Sequence, residues 1–322
     1  MYKKIFLIAI LFIITGEIMI RLDMKFKFFE DTRVVKIATD LKITPEYNML
    51  IANKINFSGN NLRIMVIGDS YIAGGGIEAK DRFSQQLKLI LEKNNKKYDD
   101  IFVLDVSKPS SNTLDNNQTY FHFVDSFKPH IIILGYNLND VEGNLEKQKG
   151  ETGTGNSYAV TNSNAKQTFI KKVYKIYKKS EFMNFVFHKL HTELKAHGVI
   201  FPNSEFDLTL KSYYQDKENW KKSKLLLQEV TDDAKKKNIQ LIVLKFPEIN
   251  LIEYPQLFLK TETIIRNFYN QSPSVLYING SEIFNVENSK DYMLSKYDGH
   301  PNEKAHKKMA VIVSKLINTS SQ

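Results

Sequence analysis

The chain has 322 residues, 42% of them hydrophobic and 25% charged, with a formal charge of +9 and no cysteine. That length suits one large α/β domain with insertions or two small domains, and the missing thiols exclude disulfide frameworks, cysteine zinc sites and cysteine nucleophiles. The positive charge comes from lysines spread along the chain, which reads as a solvated surface that favours anionic neighbours such as lipid headgroups or acidic wall polymers, not as a nucleic-acid footprint.

Lys3 and Lys4 precede an apolar run, residues 5–15, and Ile18 to Ile20 extend it past Gly16 and Glu17. As a helix, residues 5–20 span about 24 Å, somewhat short of a hydrocarbon core of about 30 Å. A basic start followed by an apolar stretch fits a signal peptide, but no small-residue cleavage site follows and Met19-Ile20-Arg21-Leu22 continues the chain. The expectation is an uncleaved membrane anchor over residues 1–23, with the remainder placed outside the cytoplasm. Lys3 and Lys4 are opposed by Arg21, Lys25 and Lys27, so the charge bias on orientation is weak. Residues 24–60 show no clean period and read as a linker with irregular structure.

From residue 61 the chain alternates. Residues 62–67 form a short apolar run ending in Gly-Asp-Ser, the mark of a buried strand. Phe83, Leu87, Ile90 and Leu91 recur at helical spacing within residues 82–93. A strand at 101–105 and a helix at 114–127 follow, then a turn at Pro129 and a β-branched strand at 131–134. Beyond an interruption come a helix at 220–237, a strand at 240–244, a helix at 254–269, a strand at 275–278 and a closing helix at 302–317. Apolar strands without alternation, separated by helices, predict a parallel sheet covered on both faces. Five such strands fit a flavodoxin-like, doubly wound order, 2-1-3-4-5.

The interruption, residues 143–215, follows the third strand. Its first part, 143–167, is polar and rich in Gly, Asn, Thr and Ser, which predicts a loop. Residues 169–194 carry Phe182, Val186, Leu190 and Leu194 on one helical stripe, either packed on the core or covering a site as a lid.

In an open parallel sheet, chemistry gathers at the carboxyl ends of the strands. Gly68-Asp69-Ser70 follows the first strand, residues 107–113 the second, and Asn137-Leu138-Asn139-Asp140 the third. Asp298-Gly299-His300-Pro301-Asn302 comes after the fifth, before the last helix. A serine, an asparagine and a histidine brought to one end of a sheet supply what acyl transfer requires. An imidazole at His300 can take the proton of the Ser70 hydroxyl. Hydrogen-bond donors near Ser110 and Asn139 can face the oxyanion of a tetrahedral intermediate.

These blocks, Gly68-Asp69-Ser70, Asn139-Asp140 and His300-Pro301-Asn302 with His306 downstream, resemble those of the SGNH (GDSL-like) hydrolases over residues 62–317. The resemblance implies Ser70 as nucleophile, His300 as base, and an oxyanion hole of Ser70, Ser110 and Asn139. Two positions depart from the family pattern. Ser110 stands where a glycine usually lends its backbone N–H. Asp298 lies two residues before His300 instead of three, with Tyr297 in the usual slot, so either Asp298 or a backbone carbonyl orients the imidazole.

The remaining signals are weak. Gly155-Asn156-Ser157-Tyr158-Ala159 approximates a hydrolase elbow but follows no strand. Gly74-Gly75-Gly76 lacks the lysine of a phosphate loop. His188 and His191 share a helix face while His197 does not, and no acidic residue has metal-protease spacing. No metal or cofactor is expected, nor an RNA-binding block among the aromatics. The expected activity is hydrolysis of acyl esters through an acyl-serine. The family resemblance suggests O-acetyl groups of envelope polysaccharides, or lipid esters, as substrates. Acyl transfer to a sugar hydroxyl would use the same residues. A non-catalytic envelope-binding protein on the same scaffold is the contrasting possibility.

Overall fold

The computed structural model describes residues 2–26, 57–141, 180, 182–183, 186, 214, 217–247, 249, 259–284, 286–295 and 298–320. The chain divides into two compact units, with the N-terminal helix in one and the five-stranded sheet in the other.

The N-terminal helix α1 (Tyr2–Phe26) packs within its own unit against the described residues near Ser180. The Phe12 ring meets that of Phe182 edge-on at 5.5 Å. The Glu17 carboxylate, set inside the apolar run, accepts hydrogen bonds from Ser180 Oγ at 2.7 Å and the Phe182 N–H at 2.9 Å, and it pairs with Arg21 at 2.7 Å. Ser180 Oγ also accepts from the Met183 N–H at 3.1 Å, as a helix-capping hydroxyl does. Ile8, Leu11, Ile14, Ile18 and Leu22 remain exposed. Among the described residues no helix is long and apolar enough to cross a membrane, so the expected anchor finds no support as a span. Phe182 meets α1 where the sequence offered a core contact or a lid. Val186 of the same stripe is exposed, while Leu190 and Leu194, most of 24–60 and the polar stretch 143–167 lie outside the described residues, as do His188, His191 and His197.

In the larger unit, β1 (Asn61–Ile67), β2 (Asp100–Asp105), β3 (Ile131–Tyr136), β4 (Gln240–Lys245) and β5 (Val275–Asn279) form one parallel sheet. Its order, β2-β1-β3-β4-β5, is the doubly wound order expected. Successive strand residues point to opposite faces, and here both faces are covered, so neither shows polar alternation. Met65, Ile67, Leu104, Ile132, Leu134 and Val243 pack under α4 (Thr113–Phe127), α5 (Lys217–Lys236) and α6 (Leu259–Asn270). Ile64, Val66, Val103, Ile133, Ile242 and Leu244 pack under α3 (Phe83–Asn94) and α7 (Glu303–Ser320). Each such side chain, fully buried, contributes about 1.5–3 kcal/mol.

The structure adds short elements to this frame. A four-residue helix, α2 (Ser70–Ala73), follows β1, and a second, two-stranded sheet pairs β6 (Met293–Ser295) with β7 (Asp298–Pro301). His300 therefore sits on a strand of this small sheet, not on a loop at the end of the fifth strand.

Candidate active site

The site begins where β1 ends. Asp69 is buried and caps α2, its carboxylate accepting the Tyr71 N–H at 2.9 Å. Its role in the Gly-Asp-Ser triplet is thus to start a helix at Ser70, an interaction worth about 1 kcal/mol. Gly68 is required by contact: a Cβ there would lie 2.7 Å from the Gly135 carbonyl oxygen and 2.5 Å from Ile72. Gly135 is the reciprocal case, since its Cβ would meet three Ile72 carbons within 2.8 Å. Two glycines, one just past β1 and one on the neighbouring β3, therefore let Ile72 seat between them, which draws α2 down onto the sheet end. Gly74 ends α2 in the left-handed conformation, φ 69°, as glycine permits.

The second loop is stitched to this turn. The Lys108 N–H donates to the Gly68 carbonyl at 2.9 Å, and Ser111 Oγ donates to the same carbonyl at 3.1 Å. Ser110, between them and exposed, has φ 64°, the left-handed conformation that glycine adopts most easily. A serine in this conformation still presents a backbone N–H. Asn112 then caps α4 through a reciprocal pair with Asp115, at 3.0 and 3.2 Å.

The third loop is a single 3-10 turn, Leu138–Val141, after β3. Thr113 Oγ1, from the second loop, donates to the Asp140 carbonyl at 2.9 Å. The Asp140 carboxylate accepts the Asn137 N–H at 3.2 Å, and the Asp140 N–H returns to the Asn137 carbonyl at 3.1 Å. Within this frame Leu138, Asp140 and Val141 are buried while Asn139 is exposed, so the turn presents one side chain outward. Asp140 is structural here.

The fourth element is β7. Asn302 explains the residue after Pro301: its Nδ2 donates to the Asp291 and Met293 carbonyls at 2.8 and 2.9 Å. Its Oδ1 accepts the N–H groups of Lys304 and Ala305, which caps α7. The Asn302 N–H also reaches the Tyr292 carbonyl at 2.9 Å. So held, His300 places Nε2 at 3.0 Å from Ser70 Oγ, across 230 residues of sequence. Tyr71 lies against the same imidazole, ring centroids 4.6 Å apart. Asp298 is 9% exposed and opens β7 two residues before His300. Side chains alternate along a strand, so positions 298 and 300 share a face.

His306, the second histidine of the motif, is fully buried at the start of α7. Its Nδ1 accepts the Phe83 N–H at 2.9 Å, which leaves the ring proton on Nε2. Burial, then the charges of Arg82 and His300, push its pKa down to about 3. It is a neutral joint between α7 and the start of α3.

The sequence-derived set therefore divides. Ser70 and His300 are in hydrogen-bond contact, the loop bearing Ser110 is bonded into the Ser70 turn, and the loop bearing Asn139 is bonded to Thr113 of the second loop. Asp298 shares His300's strand. Tyr71 escaped the sequence reading, although its place next to Ser70 was the available signal.

No family model and no curated protein matches this chain. Among solved structures, it is similar to the psychrotrophic esterase EstA of Pseudoalteromonas sp., at 12% identity, covering 80% of this chain and 99% of that one, TM-score 0.43. It is also similar to a lipase/acylhydrolase from Enterococcus faecalis, at 9% identity over 80% and 97% of the two chains, TM-score 0.45. A family 3 carbohydrate esterase of Clostridium thermocellum gives 16% identity over 79% and 94%, TM-score 0.40. At such identities and scores these likenesses carry no weight for chemistry.

Proposed function

We propose that the chain is a serine esterase of the SGNH kind, with Ser70 as nucleophile and His300 as general base. One observation carries the reading: the 3.0 Å contact between Ser70 Oγ and His300 Nε2, at the carboxyl edge of a doubly wound sheet. A serine hydroxyl attacks a carbonyl only as its proton leaves, and an imidazole nitrogen at that distance receives it.

In the first half-reaction Ser70 Oγ bonds to the ester carbonyl carbon and its proton passes to His300. The oxyanion takes hydrogen bonds from the backbone N–H of Ser70 and Ser110 and from the Asn139 amide. Collapse expels the alcohol, which leaves with the proton held by His300. Water then repeats the sequence on the acyl-serine, with His300 again as base, and releases the acid. A sugar hydroxyl in place of that water would make the same site a transferase.

We assign the substrate class as acyl esters of envelope polysaccharide or lipid, on the sequence resemblance and a basic surface. The same reading places the protein at the extracytoplasmic face of a membrane, where the exposed apolar residues of α1 would meet lipid. The decisive experiment exposes the purified full-length chain to a fluorophosphonate probe and maps the adduct. Labelling at Ser70, lost in Ser70→Ala and in heat-denatured protein, supports the reading, and an unlabelled Ser70 in folded protein overturns it.

A further inference from the structure

Beneath the turn that presents Asn139 lies a pair of buried tyrosines that the reaction scheme does not use. Tyr136, the last residue of β3, is 1% exposed, and Tyr214, which precedes α5 in the chain, is 4% exposed. Their hydroxyls meet at 2.7 Å, and Tyr214 Oη donates onward to the Leu138 carbonyl at 3.0 Å. A phenol has one proton to give. Tyr214 gives its proton to Leu138, so the bond between the tyrosines must run from Tyr136 to Tyr214. The order is thus Tyr136 to Tyr214 to the Leu138 carbonyl.

The Leu138 carbonyl and the Asn139 N–H belong to one planar peptide group. Holding that oxygen fixes the rotation of the peptide from which Asn139 departs, and with it the direction in which its side chain leaves the turn. The Leu138 N–H is held separately by Asn137 Oδ1 at 2.6 Å, and further bonds of this loop are made by Asn137 and Asp140, on either side. Burial raises both phenols well above their usual range, so the chain keeps both its protons throughout the pH range in which an imidazole works. Tyr214 is seated by Trp220, ring centroids 5.3 Å apart, and Trp220 in turn by Phe268 at 6.1 Å.

We infer that Tyr214 is a positioning residue for the Asn139 oxyanion donor, acting through the Leu138 carbonyl with its hydroxyl oriented by Tyr136. The inference rests on the esterase reading above. A donor that is displaced, not deleted, loses part of its worth in the transition state and little in the ground state. Tyr214→Phe should therefore lower kcat on the order of tenfold and leave KM unchanged. Tyr136→Phe should act in the same direction and less.

The test is a double-mutant cycle with Asn139→Ala, measured as kcat and KM on a small acyl ester with the full-length chain. If Tyr214 works through Asn139, Tyr214→Phe has no further effect on kcat once Asn139 is alanine. An equal loss in both backgrounds, or none in the wild-type background, overturns the inference. Should Tyr214→Phe fail to fold, Tyr136→Phe carries the same cycle and is read in the same two ways. Fluorophosphonate labelling separates the two levels. With Ser70 labelled and Asn139→Ala impaired, a silent Tyr214→Phe sinks this inference alone. An unlabelled Ser70 removes the esterase reading and this inference with it.

Discussion

The rings of Tyr71 and His300 lie 4.6 Å apart, centroid to centroid, with planes tilted by 42°. Tyr71 immediately follows the serine that His300 contacts, so one short helix supplies both the hydroxyl and an aromatic face for the imidazole. An aromatic face favours a cation over a neutral ring by about 0.5–1 kcal/mol at partly exposed sites. Tyr71 should thus stabilise the imidazolium that forms while the tetrahedral intermediate exists. Tyr71→Leu is expected to lower kcat several-fold and to move the acid limb of the pH–rate curve to lower pH. Tyr71→Phe should leave both nearly unchanged. A Leu variant with an unmoved acid limb would show that the contact is packing alone.

Ser70→Ala and His300→Ala should each abolish ester turnover while leaving the chain folded, because nucleophile and base act as one unit and their losses do not add. Activity of the wild type should rise with pH across the range where an imidazole gives up its proton. Steady-state rates on a chromogenic acetyl ester, beside circular dichroism of each variant, check both statements. A folded Ser70→Ala protein with full activity would remove Ser70 from the mechanism.

Asp298 opens the strand that carries His300, two residues ahead of it. A carboxylate holding the second imidazole nitrogen fixes the tautomer, and its conversion to amide costs about 10⁴-fold in serine proteases. The expectation for Asp298→Asn is a loss of at least about tenfold in kcat. Near-wild-type kinetics would leave a Ser70–His300 dyad oriented by backbone.

Ser110 holds φ 64°, a region that costs a residue with a side chain on the order of 1 kcal/mol. Ser110→Gly removes that cost and keeps the N–H. It should raise the urea midpoint slightly and leave kcat within about twofold. Ser110→Val should lose both stability and kcat, since a β-branched residue strongly resists this conformation. A destabilised glycine variant would mean that the serine side chain holds the loop.

His306 predicts acid sensitivity. Its folded pKa of about 3 lies below the unfolded value of about 6.5, so the unfolded chain binds the extra proton in that window. Stability should therefore be complete above about pH 6.5 and fall as pH drops, by up to about 1.4 kcal/mol per unit. His306→Asn offers an acceptor near the Phe83 N–H and cannot titrate. Urea midpoints at about pH 4 and about pH 7 should differ less in the variant than in the wild type. Equal differences would place the acid sensitivity elsewhere.

The sheet was readable because its strands are buried on both faces. Residues 64–67 and 131–134 are apolar without interruption, a pattern that suits a parallel strand covered on both faces. Ser70, Asn139 and His300 were readable because each stands directly after an apolar strand or before an amphipathic helix. β7 was not: residues 298–301 include a glycine and a proline, and their extended form comes from pairing with β6, a tertiary effect. Tyr136 was hidden as the last member of an apolar run, and Tyr214 by its place in a stretch without periodicity. What Asp69, Asn302 and His306 do, two helix caps and a neutral joint, is visible only once the bonds are drawn.

The separation of 230 positions between Ser70 and His300 also bears on when reactivity can arise. A ribosome delivers the serine in the first quarter of synthesis and the histidine only near the end. If the chain is exported, a translocation pore does the same. On the proposed mechanism, until α7 is complete and folded back the hydroxyl would have no base, and the growing chain would be latent. On the same mechanism, truncation between residues 70 and 300 would release a protein that carries its nucleophile and is inert, so a cell clearing such unfinished chains would handle nothing that cuts esters.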